Sequence, residues 1–342
     1  MPTSSASERA AVLLLCGAAL CWYIASRTAS ECLARSAPSP GRRAVGHWIP
    51  VLATCAVALC LGRAEIAVTL IFATSVACLT LGLGSVMIAA ETPLMAGDAH
   101  RLWGFVLPVA LIAWMIGFSG RVATGTAMAL LIEGIVLLLI RDRYAVPAEA
   151  EPSDAGSSRW RIVLLVLAVL LAITGGVAGT RAAIDLGSRL RIPATGLVTA
   201  LMLSPAMVLP IMGAGSRLAQ QHRLREAVTT QVTFVLLNLC LALPLVAIAW
   251  QARPLLGGTA QAAHVSAPTT APTTQAATQP LAEAVLPYPL VAWRVDTVLL
   301  IALGLFLLPL SAGRWSIGRV EGVILIASYA AYMTLTTLAA RS

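Results

Sequence analysis

Apolar runs of about twenty residues alternate along this chain with short stretches carrying arginine, proline or glycine. A run of that length, wound as a helix, matches the hydrocarbon thickness of a bilayer. The pattern predicts ten helices, near 10–30, 45–62, 65–90, 103–118, 124–145, 161–188, 193–219, 226–250, 291–311 and 319–339. Two stretches interrupt it. Residues 146–160 are polar, contain proline and serine, and separate a first five-helix unit (1–145) from a second (161–342). Residues 251–287 include APTTAPTTQAATQP, too poor in bulky apolar side chains to build a core, and read as a disordered loop between the eighth and ninth helices. The N-terminus, with Arg9 ahead of an apolar stretch from Ala10 to Ala25, has the look of a signal peptide; the repeat described below needs it as a retained helix.

Composition turns this pattern into a class. Hydrophobic residues make up 58% of the chain and charged residues 11%, with a mean hydropathy of +0.86. A soluble domain carries about a quarter charged residues. The fold class is therefore all-α integral membrane, with the lipid bilayer as partner. The net charge of +8 rests on 23 arginines and no lysine. They sit at the ends of apolar runs, which is a topology signal and excludes a nucleic-acid module. Fourteen of the 23, including Arg42, Arg43, Arg101, Arg217, Arg223 and Arg319, fall in alternate loops beginning with the first. That bias puts those loops in the cytoplasm and both termini outside, and the reading places the chain in the bacterial inner (plasma) membrane. The seven cysteines form no CxxC and lack a histidine at metal spacing, so they read as packing residues, with no metal or cofactor implied. No HExxH, GxSxG or phosphate-binding glycine loop is present, and an enzyme is not expected.

The chain also repeats itself. Glu133-Gly134 opens an apolar run with Tyr144 eleven residues after the glutamate, and Glu321-Gly322 does the same with Tyr332. Arg27, Ala29, Glu31 and Arg35 match Arg181, Ala183, Asp185 and Arg189 in spacing. A shift of 160 lays Pro50 on Pro210, Arg63 on Arg223, and Ala67-Val68-Thr69 on Ala227-Val228-Thr229. An odd number of helices per half makes the second half enter from the opposite side, giving inverted repeats. Prolines at matching places inside two membrane helices bend them and free backbone carbonyls, the best sequence pointer to a transport site.

At these residues the chain resembles the sodium/calcium exchanger (cation/calcium antiporter) superfamily. Those proteins have ten helices in two inverted halves, each half with a TSLPE-like motif followed by a GNxxGSN-like one. Ile49-Pro50-Val51 and Leu209-Pro210-Ile211 stand at the first motif, and Ser75 and Val235, 24 residues after Val51 and Ile211, stand at the end of the second. RVEGVILIASYAAYM (319–333) is similar to the family's last helix and LLIEGIVLLLI (130–140) to its fifth. The resemblance implies that positions 51 and 211 would hold the ion-binding carboxylates, yet here they are Val51 and Ile211. Calcium takes about six to eight oxygen ligands, generally with carboxylates among them, so ordinary sodium/calcium exchange is not expected. The candidate transport site comprises Pro50, Val51, Thr69, Thr74, Ser75, Pro210, Ile211, Thr229, Thr233, Val235 and Asn238, with Thr230 and Gln231 nearby. Its hydroxyl, amide and freed carbonyl oxygens suit a monovalent cation or a small neutral solute. The expected function is cation transport by alternating access; the alternative is a non-transporting scaffold that keeps the fold. Glu133 and Glu321 read as structural, the latter at a helix N-terminus. Asp98 and Asp296 are read likewise as N-terminal charges, His47 as interfacial, and Trp22, Trp48, Trp103, Trp160, Trp250 and Trp293 as an aromatic belt.

Overall fold

A computed structural model describes residues 3–36, 39–94, 101–118, 121–143, 158–189, 195–253, 286–287, 292–311 and 316–339. Their helices are α1 (Thr3–Ser36), α2 (Pro40–Cys60), α3 (Ala64–Ala89), α4 (101–118), α5 (Thr124–Arg143), α6 (Ser158–Arg189), α7 (195–220), α8 (Leu224–Ala252), α9 (292–311) and α10 (Arg319–Ala339). Among the described residues seven helices, α1, α2, α3, α6, α7, α8 and α10, are long and apolar enough to cross a membrane. Shorter apolar helices fill Trp103–Phe118 and Thr124–Val136. The all-α membrane expectation holds. Three details differ from it. α1 runs well past 10–30 at both ends, residues 158–160 of the expected linker belong to α6, and both edges of the 251–287 stretch are ordered into structure. There, Gln251 and Ala252 complete α8, and β2 (Leu286–Pro287) pairs antiparallel with β1 (Arg121–Val122). Gln251 anchors this corner: its Nε2 donates to Val122 O at 3.3 Å, and its Oε1 accepts from the Thr124 hydroxyl at 2.7 Å. Asp98 and most of the loop lie outside the described residues.

Local chemistry accounts for the boundaries. Ser39 precedes Pro40 and caps α2, its Oγ accepting from Arg42 N at 3.2 Å. The α2–α3 and α7–α8 turns are built alike. Leu61, Gly62 and Arg63 donate to the carbonyls of Val57, Leu59 and Ala58; Gln221, His222 and Arg223 donate to those of Arg217, Ala219 and Leu218. Each turn needs one left-handed residue, Gly62 (φ +73°) in the first and His222 (φ +59°) in the second. Glycine takes that conformation freely, and histidine is among the residues that tolerate it. Every position in the second turn is the first advanced by 160. So is the π turn that interrupts the two following helices, Cys78–Gly82 in α3 and Asn238–Ala242 in α8.

α3 and α8 form the buried centre, whereas α1, α6 and α10 expose apolar faces such as Leu13, Val163 and Ile324. In a membrane protein such faces meet lipid. The two central helices run antiparallel. His222, ahead of α8, has its Nε2 3.9 Å from Glu91 Oε2, just beyond the end of α3. At the other end a methyl group on Gly62, ahead of α3, would stand 3.2 Å from the guanidinium of Arg253, just beyond α8. Two further contacts sort the loops: Leu94 bridges Ile317, and Arg43 Nη1 lies 3.3 Å from Glu226 Oε1. The connections after α1, α3, α7 and α9 therefore share one face, and those after α2, α4 and α8 share the other.

The tryptophans correct the aromatic-belt expectation. Trp22 and Trp103 are fully buried and Trp48 nearly so, while Trp160 is exposed. Trp22 is drawn inward because α6 offers glycines opposite it; a methyl group on Gly179 would fall 2.4 Å from its ring.

Candidate functional site

Pro50 and Pro210 lie inside α2 and α7, and both are buried. A proline within a helix removes the N–H that would pair with the carbonyl four residues back and bends the axis. Thr54 Oγ1 donates to Pro50 O at 2.8 Å, one turn further on. Val51, Ile211 and Val235 are fully buried in one continuous apolar core.

The polar centre is a side-chain cross-link between α3 and α8. Asn238, wholly buried at the start of the α8 π turn, donates through Nδ2 to Thr74 Oγ1 at 3.1 Å and to Ser75 Oγ at 3.3 Å. Thr74 and Ser75 donate in turn to Leu70 O and Ile71 O at 2.7 Å, which fixes their hydroxyl hydrogens and presents their lone pairs to the amide. Asn238 Oδ1 is buried without a hydrogen-bond partner among the described residues. Thr233 Oγ1 is in the same condition, and so are both amide atoms of Gln231. Gln231 sits between Gly82 and Gly215, where added methyl groups would stand 3.4 Å and 2.8 Å from its amide. A buried polar atom left unpaired costs about 1–3 kcal/mol.

The structure divides the predicted site residues into groups. It brings Thr74, Ser75 and Asn238 together. Thr69 and Thr229 lie in the opening turns of α3 and α8, near opposite faces, and do not meet. Thr229 donates to Arg225 O at 2.7 Å within its own helix, and Thr69 lies against Gly196 with its hydroxyl unpaired among the described residues. Glu226 closes the face on Thr229's side, pairing with Arg43 of α2 and, at 2.6 Å, with Arg223. The two glutamates of the repeated signature do different things. Glu321 Oε2 accepts from Gly318 N at 2.8 Å and caps α10, whereas Glu133 is half-buried midway along α5. Their glycines behave alike: methyl groups on Gly134 and Gly322 would meet Cys240 O at 2.7 Å and Gly84 O at 2.9 Å. These glycines therefore let α5 approach α8 and α10 approach α3.

Two expectations are corrected. His47 is not interfacial; it is buried, with Nδ1 2.7 Å from Ser26 Oγ of α1. Gly46 beside it lets the helices approach so closely that a methyl group there would overlap the Ser30 backbone. Asp296 is not a terminal charge; it lies inside the helical run of α9, fully buried. Sequence reasoning gave Asp296 no site role, because one acid near the start of an apolar run looks like a cap.

No protein-family model matches this chain, and no curated protein matches it by sequence. Solved structures do match. The H+/Ca2+ exchanger CAX is similar at a TM-score of 0.70 and 15% identity, over 97% of this chain and 84% of that one. The sodium-calcium exchanger NCX_Mj, soaked with 10 mM Na+ and zero Ca2+, is similar at 0.61 and 16%, over 98% and 99%. The same exchanger soaked with 2.5 mM Na+ and 0.1 mM Ca2+ gives 0.58 and 17%, over 100% and 99%. At such identities the likeness establishes the fold: this chain has the architecture of the cation exchangers.

Proposed function

We propose that this chain is a charge-poor member of the cation/calcium antiporter superfamily that moves a monovalent cation by alternating access of two inverted halves, 1–145 and 161–342. The observation that carries the reading is Asn238 Oδ1, an acceptor unpaired among the described residues and buried where antiparallel α3 and α8 cross, beside the Thr74 and Ser75 oxygens. Neutral side-chain oxygens at such a crossing suit a monovalent ion. With Val51 and Ile211 in place of carboxylates, the site lacks the charge that Ca2+ demands. The duplicated turns, the paired π turns and the opposed directions of α3 and α8 support the inverted halves. The arginine bias supports a plasma-membrane orientation with both termini extracytoplasmic.

The test is ion flux in liposomes under imposed Na+, H+ and Ca2+ gradients. Monovalent flux without Ca2+ flux is expected. Asn238→Leu should lower it at least tenfold with little change in thermal stability. The substitution loses two hydrogen bonds worth about 0.6 kcal/mol each in membranes, but it also removes an unpaired buried oxygen costing about 1–3 kcal/mol. A second reading, a non-transporting scaffold, is favoured by the complete burial of Val51, Ile211 and Val235 in apolar packing. Absence of flux under every gradient would decide for it.

A further inference from the structure

We propose that Asp296, with Tyr332, Tyr329 and Ser204 around it, forms a proton-binding site separate from the Asn238 cross-link. Asp296 lies in the π turn that opens α9, in a segment packed on α3, α4 and α10. Among the described residues it is the one carboxyl that is fully buried. Tyr332 and Tyr329 of α10 lie close enough to Asp296 to interact with it electrostatically, and Ser204 of α7 lies near Tyr329. The two tyrosine rings stand 5.6 Å apart on α10. Ser204 Oγ donates to Ala200 O at 2.6 Å, leaving its lone pairs to accept. Asp296 Oδ1 and both phenol oxygens are buried without a hydrogen-bond partner among the described residues.

Among the described residues, the surrounding elements bring no cation to this carboxyl. α3 carries Glu65, which pairs with Arg63 at 3.6 Å, and the thiol of Cys78. The described side chains of α4 include no ionisable group. α10 carries the two tyrosines, while its Arg319 and Glu321 are engaged at its opposite end by Ala90 O and Gly318 N. Arg294 on α9 itself is exposed. A carboxylate in an apolar interior without a counter-charge is costly, and an ionisable group at membrane depth is a functional candidate by default. A divalent cation needs a shell of six or more oxygens, whereas a proton needs one. Proton uptake on Oδ1 gives a neutral acid that donates to Tyr332 Oη; release reverses the bond, and the phenol donates to the carboxylate. The site stands whether or not the chain transports ions through Asn238.

The test is an infrared pH titration of the full chain in lipid nanodiscs, reading the carbonyl stretch of protonated carboxyl groups. A titrating band is expected that disappears in Asp296→Asn, persists in Glu133→Gln and shifts in Tyr332→Phe. The last variant leaves the acid in place, so it decides the matter even if Asp296→Asn does not fold. A band unchanged by both the Asp296 and Tyr332 substitutions would overturn the proposal. So would a band that Na+ removes at constant pH, which would make the cluster a metal-cation site.

Discussion

Gly84→Leu is expected to prevent α10 from docking on α3 and to lower the melting temperature sharply, whereas Gly213→Leu should be almost silent. The asymmetry follows from what each side chain would meet. A β-carbon on Gly84 would lie 2.7 Å from Gly322 O and 3.3 Å from Ile326 N, both backbone atoms of α10, whereas nothing stands within 4 Å of one on Gly213. Backbone cannot step aside as a side chain can, so the two helices must separate. Overpacking costs about 1–3 kcal/mol in well-packed cores, occasionally more. Association of membrane helices rests on close packing because lipid supplies no hydrophobic drive between them, so losing this contact weighs heavily. Gly134→Leu should behave similarly, since a β-carbon there meets Cys240 O of α8 at 2.7 Å. Thermal unfolding in detergent, followed by fluorescence-detected size exclusion, measures all three. If Gly84→Leu and Gly213→Leu melted together, the close approach of Gly84 to Gly322 would not be what holds α10 on α3.

That signature shows how far the sequence could be read. The run of apolar segments gave the helices, because hydrocarbon thickness sets their length and little else about them matters to the pattern. The shift of 160 was visible in Pro50 and Pro210, Arg63 and Arg223, and the structure carries it into turn hydrogen bonds that no residue identity records: Gly62 and His222 do the same backbone work with unlike side chains. Asn238 was readable as a polar residue in an apolar helix, but its pairing with Thr74 and Ser75 was not, since that depends on two distant segments running in opposite directions. Burial was the least legible property. Trp22 and His47 looked interfacial and Asp296 looked terminal from position along a helix, yet all three are buried, the first two where glycines let a neighbouring helix press close. In lipid the outer surface is as apolar as the core, so hydropathy alone does not distinguish the inside of the bundle from its outside.

Val51→Glu/Ile211→Glu should make stability depend on Ca2+, a dependence not expected of wild type. Both side chains are fully buried in the apolar core. A charged carboxylate at the centre of a membrane helix costs about 2.5–3.5 kcal/mol on insertion scales, so the double variant is expected to melt well below wild type in the presence of chelator. Two carboxylates near the Asn238, Thr74 and Ser75 oxygens approach the ligand set that Ca2+ favours. Ligand that binds only the folded state raises stability in proportion to the logarithm of its concentration, so added Ca2+ should recover much of the loss, while wild type shows no shift. Each single variant, with one carboxylate, should be destabilised and only weakly rescued. Rescue of the double variant beyond the sum of the singles requires the two carboxylates to reach one ion, as the proposed inverted halves would allow by facing positions 51 and 211 toward each other. Equal responses in singles and double would mean that these positions do not converge, and the proposed transport site would have to be sought elsewhere in the bundle.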